Sequence, residues 1–182
     1  MLAVLNEINQ LYWAQLKAHG IRVTHHCQHN GELVPCEAGD DLPEKFSLQS
    51  YPAEIKQLLL NLISNAKEAI EKLPHPSERQ SCIEVQLAAT DNEITVDVCD
   101  LAGGVAKEIR PRIFEPYFTT KKMGTGLGLY IAKTLATNPL NGTLVYLDRA
   151  AEKGQEAGST FRLTLPRYPA DVFVEENQPK ER

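Results

Sequence analysis

Apolar residues recur every three or four positions in three stretches of the chain and every second position in five others. Helical spacing of Leu2, Leu5, Ile8, Leu11, Tyr12 and Leu16 predicts a helix over residues 2–19, with Gly20 as its stop. The same spacing is denser between Ala53 and Leu73, where Ile55, Leu58, Leu59, Leu62, Ile63, Ala66 and Ile70 form one stripe and Pro74 and Pro76 end it. Gly126–Thr137 reads as a third helix. Alternation predicts strands at Ile21–Cys27, Cys82–Thr90, Glu93–Cys99, Gly142–Asp148 and Ser159–Leu165. Gln28–Ser50 reads as irregular connection with room for one short strand. Residues 100–125 read as a functional loop, because long structureless loops in compact domains commonly are.

Strands adjacent in sequence pair most simply as antiparallel hairpins, at Cys82–Cys99 and again at Gly142–Leu165, with Ala150–Gly158 as a variable turn. The expected fold is therefore α/β in the α+β sense: a two-layer sandwich in which a mixed, mostly antiparallel sheet is covered on one face by about three helices. A doubly wound parallel sheet does not fit this order. Residues 1–166 are expected to form one domain, followed by a polar, frayed tail at 167–182. The length of 182 residues, 42% of them hydrophobic, suffices for one self-sufficient core.

A formal net charge of -5 argues against an electrostatic nucleic-acid binder. No apolar run approaches the roughly 20 residues of a membrane helix, which predicts a soluble piece without membrane contact, whether or not it belongs to a larger receptor. Cys27, Cys36, Cys82 and Cys99 show neither a CxxC pair nor zinc-ligand spacing, so reduced thiols in a cytosolic setting are expected.

Three short motifs carry candidate chemistry. Asn61, Asn65 and Glu68 stand at i, i+4 and i+7 on the long helix, so they share a face beside the apolar stripe. Asparagine carbonyls suit Mg²⁺, although polar residues on a solvated helix face need no special explanation. Asp100, Ala102, Gly103 and Gly104 follow directly on a strand; a carboxylate there can accept from an exocyclic amine, and glycines admit a flat ring close to the backbone. The same residues also make ordinary turn chemistry. Gly124, Thr125, Gly126, Leu127, Gly128 and Leu129 lead from loop into helix behind Lys121 and Lys122, presenting amides and the positive helix end to phosphates. The spacing matches neither the dinucleotide fingerprint nor the Walker A loop, and a glycine hinge is the plain alternative.

Taken in order, these motifs resemble the ATP-binding domain of histidine kinases in the GHKL superfamily: NLISNAKEAI its N box, DLAGGV its first glycine box, RIFEPYFTT its F box, GTGLGLYIAK its second glycine box, GSTFRLTLP its closing strand. The resemblance covers about Leu2–Pro166. It implies a Bergerat-type fold holding ATP and Mg²⁺ between the long helix and a lid. By resemblance, Asn65 is the Mg²⁺ ligand together with the ATP phosphates, and Asn61 supports it. Asp100 receives the adenine amine, Ala102 and Gly104 border the ring, and Thr160 assists through water. Lys121 or Lys122 and the second glycine box meet the phosphates, while Phe114 and Phe118 are lid aromatics or core packing. Two departures are Ala102, where the family usually has glycine, and Glu68, where many relatives carry a basic residue. The short lid resembles nitrogen-sensor-like kinases.

The gyrase and mismatch-repair branches carry a glutamate that activates water; here that position resembles Asn61, which cannot act as a base. The resemblance therefore implies γ-phosphoryl transfer to a histidine rather than hydrolysis. No phosphoacceptor box is recognisable: His19, His25, His26, His29 and His75 read as surface or structural residues. The implied partners are a phosphoacceptor and dimerisation domain of a parent kinase and, indirectly, a response regulator, in the cytoplasm. A serine kinase of the anti-sigma type and a nucleotide-binding module without transfer remain as alternatives.

Overall fold

The computed structural model describes residues 1–34, 46–122, 124–149 and 157–168. In chain order the elements are α1 (Leu2–Ala18), β1 (Arg22–His29), β2 (Glu32–Val34), α2 (Pro52–Ile70), β3 (Cys82–Ala89), β4 (Glu93–Asp100), α3 (Gly128–Thr137), β5 (Thr143–Arg149) and β6 (Gly158–Pro166). The six strands form one sheet in the order β2-β1-β3-β4-β6-β5. Among the described residues only β1 and β3 pair in parallel; the other ladders are antiparallel. The mixed, mostly antiparallel sheet expected from the chain is therefore present, and α1, α2 and α3 form its covering layer.

The alternation of the strands decides which face is covered. Ile83, Val85 and Leu87 of β3, Val96 and Val98 of β4, and Phe161, Leu163 and Leu165 of β6 point inward and are buried. The α2 stripe meets them: Ile55, Leu58, Leu59, Leu62, Ile63, Ala66 and Ile70 are all buried. On the opposite face the side chains are mostly polar, and ion pairs order them. Arg162 clamps the buried Asp97 carboxylate with two bonds of 2.8 and 2.7 Å, and Arg149 reaches Glu84 at 3.0 Å.

Several details differ from the sequence expectation. β1 runs two residues further, to His29, and turns into β2 through Asn30 and Gly31, both at positive φ, the two-residue Asn-Gly hairpin that matches strand twist. α2 stops at Ile70, and one more turn carries the chain to Leu73. α3 starts at Gly128 rather than Gly126, because φ of +68° at Gly126 lies outside the helical region. A single 3-10 turn at Arg110–Arg112 interrupts the loop expected over 100–125. Cys82 and Cys99 are free thiols. Cys27 is disulfide-bonded, which overturns the expectation of reduced cysteines throughout; spacing along the chain does not register which side chains folding brings together. The 167–182 tail beyond Tyr168 and most of the Ala150–Gly158 turn lie outside the described residues.

Leu62 sits fully buried on the sheet side of α2. Leu62→Ala should cost about 2–5 kcal/mol of unfolding free energy by urea titration. A cost under about 1 kcal/mol would mean that α2 does not rest on the sheet as described.

Candidate functional site

Burying the apolar stripe of α2 leaves Asn61, Asn65 and Glu68 at the edge of the helix layer, each half-buried. They line a cavity of about 280 Å³ whose other walls are Val105, Ile109 and Ile113 of the loop, the segment from Phe118 to Lys121, Gly124–Gly126, Gly128 and Leu129 at the start of α3, and Phe161 of β6. The N-box and second-glycine-box residues thus converge on one cleft, although they lie some sixty residues apart in the chain.

Two features of that cleft point to a ligand. Asn61 Nδ2 is buried and bonds to nothing among the described residues, an arrangement that costs about 1–3 kcal/mol unless a partner arrives. One helical turn away, Asn65 Oδ1 accepts from the Lys121 ammonium at 3.0 Å, and Glu68 Oε2 accepts from the same ammonium at 2.5 Å. A cation therefore already sits on the Asn65 oxygen that the metal assignment names, so this donor fits a Mg²⁺ bound together with phosphates. Burial alone would raise the Glu68 carboxyl, but the Lys121 ammonium, helped by the Ser64 hydroxyl and Lys72, outweighs it and holds the group below the usual range.

The glycines shape the remaining walls. At Gly126 a Cβ would lie 2.4 Å from the Tyr117 carbonyl carbon, so only glycine lets the loop pass there at its positive φ. α3 opens at Gly128 with no side-chain cap and no acidic residue in its first turn, so its amino end is free to meet an anion. The two lysines separate: Lys121 lines the cavity, whereas Lys122 is exposed outside it. Leu127 does not line it either, while Thr125 and Leu129 do.

Asp100 closes β4, and Ala102 and Gly104 follow it towards Val105; none of the three lines the cavity, which begins at Val105. The Asp100 carboxylate is buried, accepts from the Ala102 amide at 2.9 Å, and is approached by the amide and hydroxyl of Ser159, its register partner on β6. Gly104 has φ of +75°, and a Cβ there would meet the Gly158 carbonyl at 2.9 Å. Thr160 requires a correction. It pairs with Cys99, donates to Cys99 Sγ at 3.4 Å, and by strand alternation faces away from Asp100, on the far side of the sheet. Ser159, which the sequence reading passed over, occupies the place beside Asp100 instead, as the register of the two strands shows.

Phe118 lines the cleft under the Arg112 guanidinium, 4.6 Å from its ring centroid. Phe114, only partly buried, packs edge-on against Phe161 at 6.3 Å at the margin of the core. A brace that the sequence reading missed fixes the segment between the two ends of the site. Tyr146 Oη accepts from the Val105 amide at 3.2 Å and donates to Asp148 at 3.3 Å, while Arg110 bonds both the Val105 carbonyl and Asp148, each at 2.8 Å. Its members are far apart in sequence, so no local pattern marks them. Of the five histidines, His25 faces Trp13 with ring centroids 5.2 Å apart, and burial, then His26, lowers its tendency to charge. None of the five lines the cleft.

Burial pushes the Asp100 carboxyl above the usual range, and the Ala102 amide, Ser159 and Arg149 only partly offset it. A raised value in the folded state favours folding while the group is protonated, and that contribution is lost as pH rises through the folded value. At neutral pH the chain thus carries the cost of a buried carboxylate. Asp100→Asn keeps an oxygen for the Ala102 amide and removes the charge. Its melting temperature should exceed that of the wild type at neutral pH, with the difference disappearing below about pH 4. A lower melting temperature at neutral pH would contradict this account.

Residues 50–169 match the family model of histidine kinase-, DNA gyrase B- and HSP90-like ATPases. The sensor protein FixL of Bradyrhizobium diazoefficiens is 34% identical over 113 residues, covering 62% of this chain and 20% of that protein. The sensor histidine kinase ZraS of Escherichia coli K12 is 36% identical over 129 residues, covering 71% of this chain and 24% of that protein. The chain thus spans about a quarter or less of these relatives. The catalytic domain of the histidine kinase ThkA superposes with a TM-score of 0.66 over 92% of this chain and 94% of that one, at 22% identity, a likeness of fold. Among the described residues no helix is long and apolar enough to cross a membrane. With residues 50–169 inside the matching model and its N-box and second-glycine-box residues gathered on one cleft, this protein belongs to the histidine kinase-, DNA gyrase B- and HSP90-like ATPase family.

Proposed function

We propose that this chain is the nucleotide-binding half of a protein histidine kinase. It holds Mg-ATP in the cleft between α2 and the start of α3 and delivers the γ-phosphoryl group to a histidine on a phosphoacceptor and dimerisation domain of the parent kinase. The observation that carries this reading is the α2 edge: a buried, unpartnered Asn61 amide beside an Asn65 oxygen that already holds a cation. The cytoplasm, a two-component pathway and a response regulator as the next acceptor go with it, supported by the kinds of protein to which the chain is similar.

The roles follow from the chemistry of each group. Asp100 accepts from the adenine amine, while Ala102 and Gly104 leave room for the ring and Ser159 holds the carboxylate in place. Lys121 and the backbone from Gly124 to Leu129 meet the phosphates. When bound, Mg²⁺ neutralises phosphate charge, with Asn65 as its protein ligand and Asn61 beside it. Asn61 has no basic lone pair with which to strip a proton from water, so hydrolysis stays slow. A neutral imidazole needs no such base; positioning and charge neutralisation suffice.

Calorimetric titration with ATP, ADP and GTP, with and without Mg²⁺, tests the site. Selective, Mg²⁺-dependent binding of adenine nucleotides is expected, and no binding would sink the reading. Asp100→Asn should lose about 1–3 kcal/mol of that binding, and Asn65→Ala most of the Mg²⁺ enhancement. Supplied with an acceptor domain and labelled ATP, the chain should yield an acid-labile phosphohistidine. Acid-stable label would indicate a serine kinase, and unlabelled acceptor a binding module.

A further inference from the structure

Glu68 has no part in the roles given so far, yet it is the closest partner of Lys121. Its carboxylate opens on the cavity, where its charge would oppose a triphosphate. It is oriented from behind by the Ser64 hydroxyl, which donates to Oε1 at 3.3 Å, and its other oxygen holds the same ammonium as Asn65 Oδ1. Positions i and i+3 of one helix thus present two oxygens to a single cation. The Lys121 side chain arrives from the far wall of the cleft, on a turn held by the Thr119 hydroxyl, which accepts from the Lys121 amide at 3.0 Å.

We infer that Glu68 belongs to the divalent-cation site, forming with Asn65 a two-oxygen seat that the Lys121 ammonium fills until Mg²⁺ arrives with nucleotide. This rests on the assignment of the cleft to Mg-ATP. One ammonium cannot neutralise both Glu68 and the phosphates. When Lys121 turns to the phosphates, a metal ion must replace it beside Glu68, or the carboxylate repels the ligand. Glu68 therefore makes nucleotide affinity depend on the metal in a way that Asn65, being neutral, does not. An ordinary exposed ion pair between Glu68 and Lys121 would contribute little and would leave that dependence unchanged.

Calorimetry on the wild type and Glu68→Gln, each with and without Mg²⁺, reads the effect directly. In the variant, ATP should bind more tightly without metal, and the gain on adding Mg²⁺ should shrink by about 10–100-fold, the scale for losing a supporting metal partner. An unchanged gain overturns the inference while leaving the cleft an ATP site. A second measurement needs no nucleotide: paramagnetic broadening of the Ser64–Glu68 amide resonances by Mn²⁺. Lys121→Ala vacates the seat, so broadening should appear at lower Mn²⁺ than in the wild type, and Glu68→Gln added to it should abolish that gain. Equal broadening in the single and double variants refutes the inference. If the wild type binds no adenine nucleotide, the ATP reading fails, and the Mn²⁺ result still decides the role of Glu68.

Discussion

The packing of α2 against the sheet is the constraint on which everything else rests. Seven buried apolar residues on one helix meet the inward side chains of β3, β4 and β6, and this fixes the rotation of the helix about its own axis. With the rotation set, Asn61, Asn65 and Glu68 have only one place to be: the rim where the helix layer ends and the cleft begins. Side-chain amides and a carboxylate so placed are neither core nor free surface. The apolar burial holds them there and offsets the cost of keeping the Asn61 amide unsatisfied.

The two ends of the site are built differently. At the α2 end, side-chain oxygens line the cleft and the Lys121 ammonium answers them. At the Asp100 end the backbone ladder sets the geometry: the carboxylate closes β4, Ser159 opposes it on β6, and Gly104 and Gly158 let backbone pass where a Cβ could not. Between them the Tyr146, Arg110 and Asp148 brace sets the spacing. An end built of backbone and glycine suits a flat, uncharged ring, and an end lined by charged side chains suits a metal-bound phosphate chain.

Most of the fold was legible in the chain because its periodicities are clean. The α2 stripe and the β3 and β4 alternation are physical requirements of burial, so the strands and helices fell within a few residues of expectation. What was not legible depended on register or on positive φ. The first helical residue of α3 moved because Gly126 is left-handed, and Thr160 was misassigned because a one-residue step along β6 exchanges the two faces of the sheet. The Asn30-Gly31 hairpin was written in the sequence but lay inside a polar stretch that looked irregular. Lys121 and Lys122 are indistinguishable as neighbours in a string, and only the turn at Thr119 separates the one that enters the cleft from the one that does not.

The sixth strand in the chain is not at an edge of the sheet; it lies between β4 and β5. Until Gly158–Pro166 has been added to the growing polypeptide, β4 and β5 have no hydrogen-bonding contact with one another, and Asp100 lacks Ser159. Without β6, β5 has no strand beside it and β4 keeps only β3. Removing Gly158–Pro166 would therefore take away, in one step, the joint between the two parts of the sheet and the register partner of Asp100.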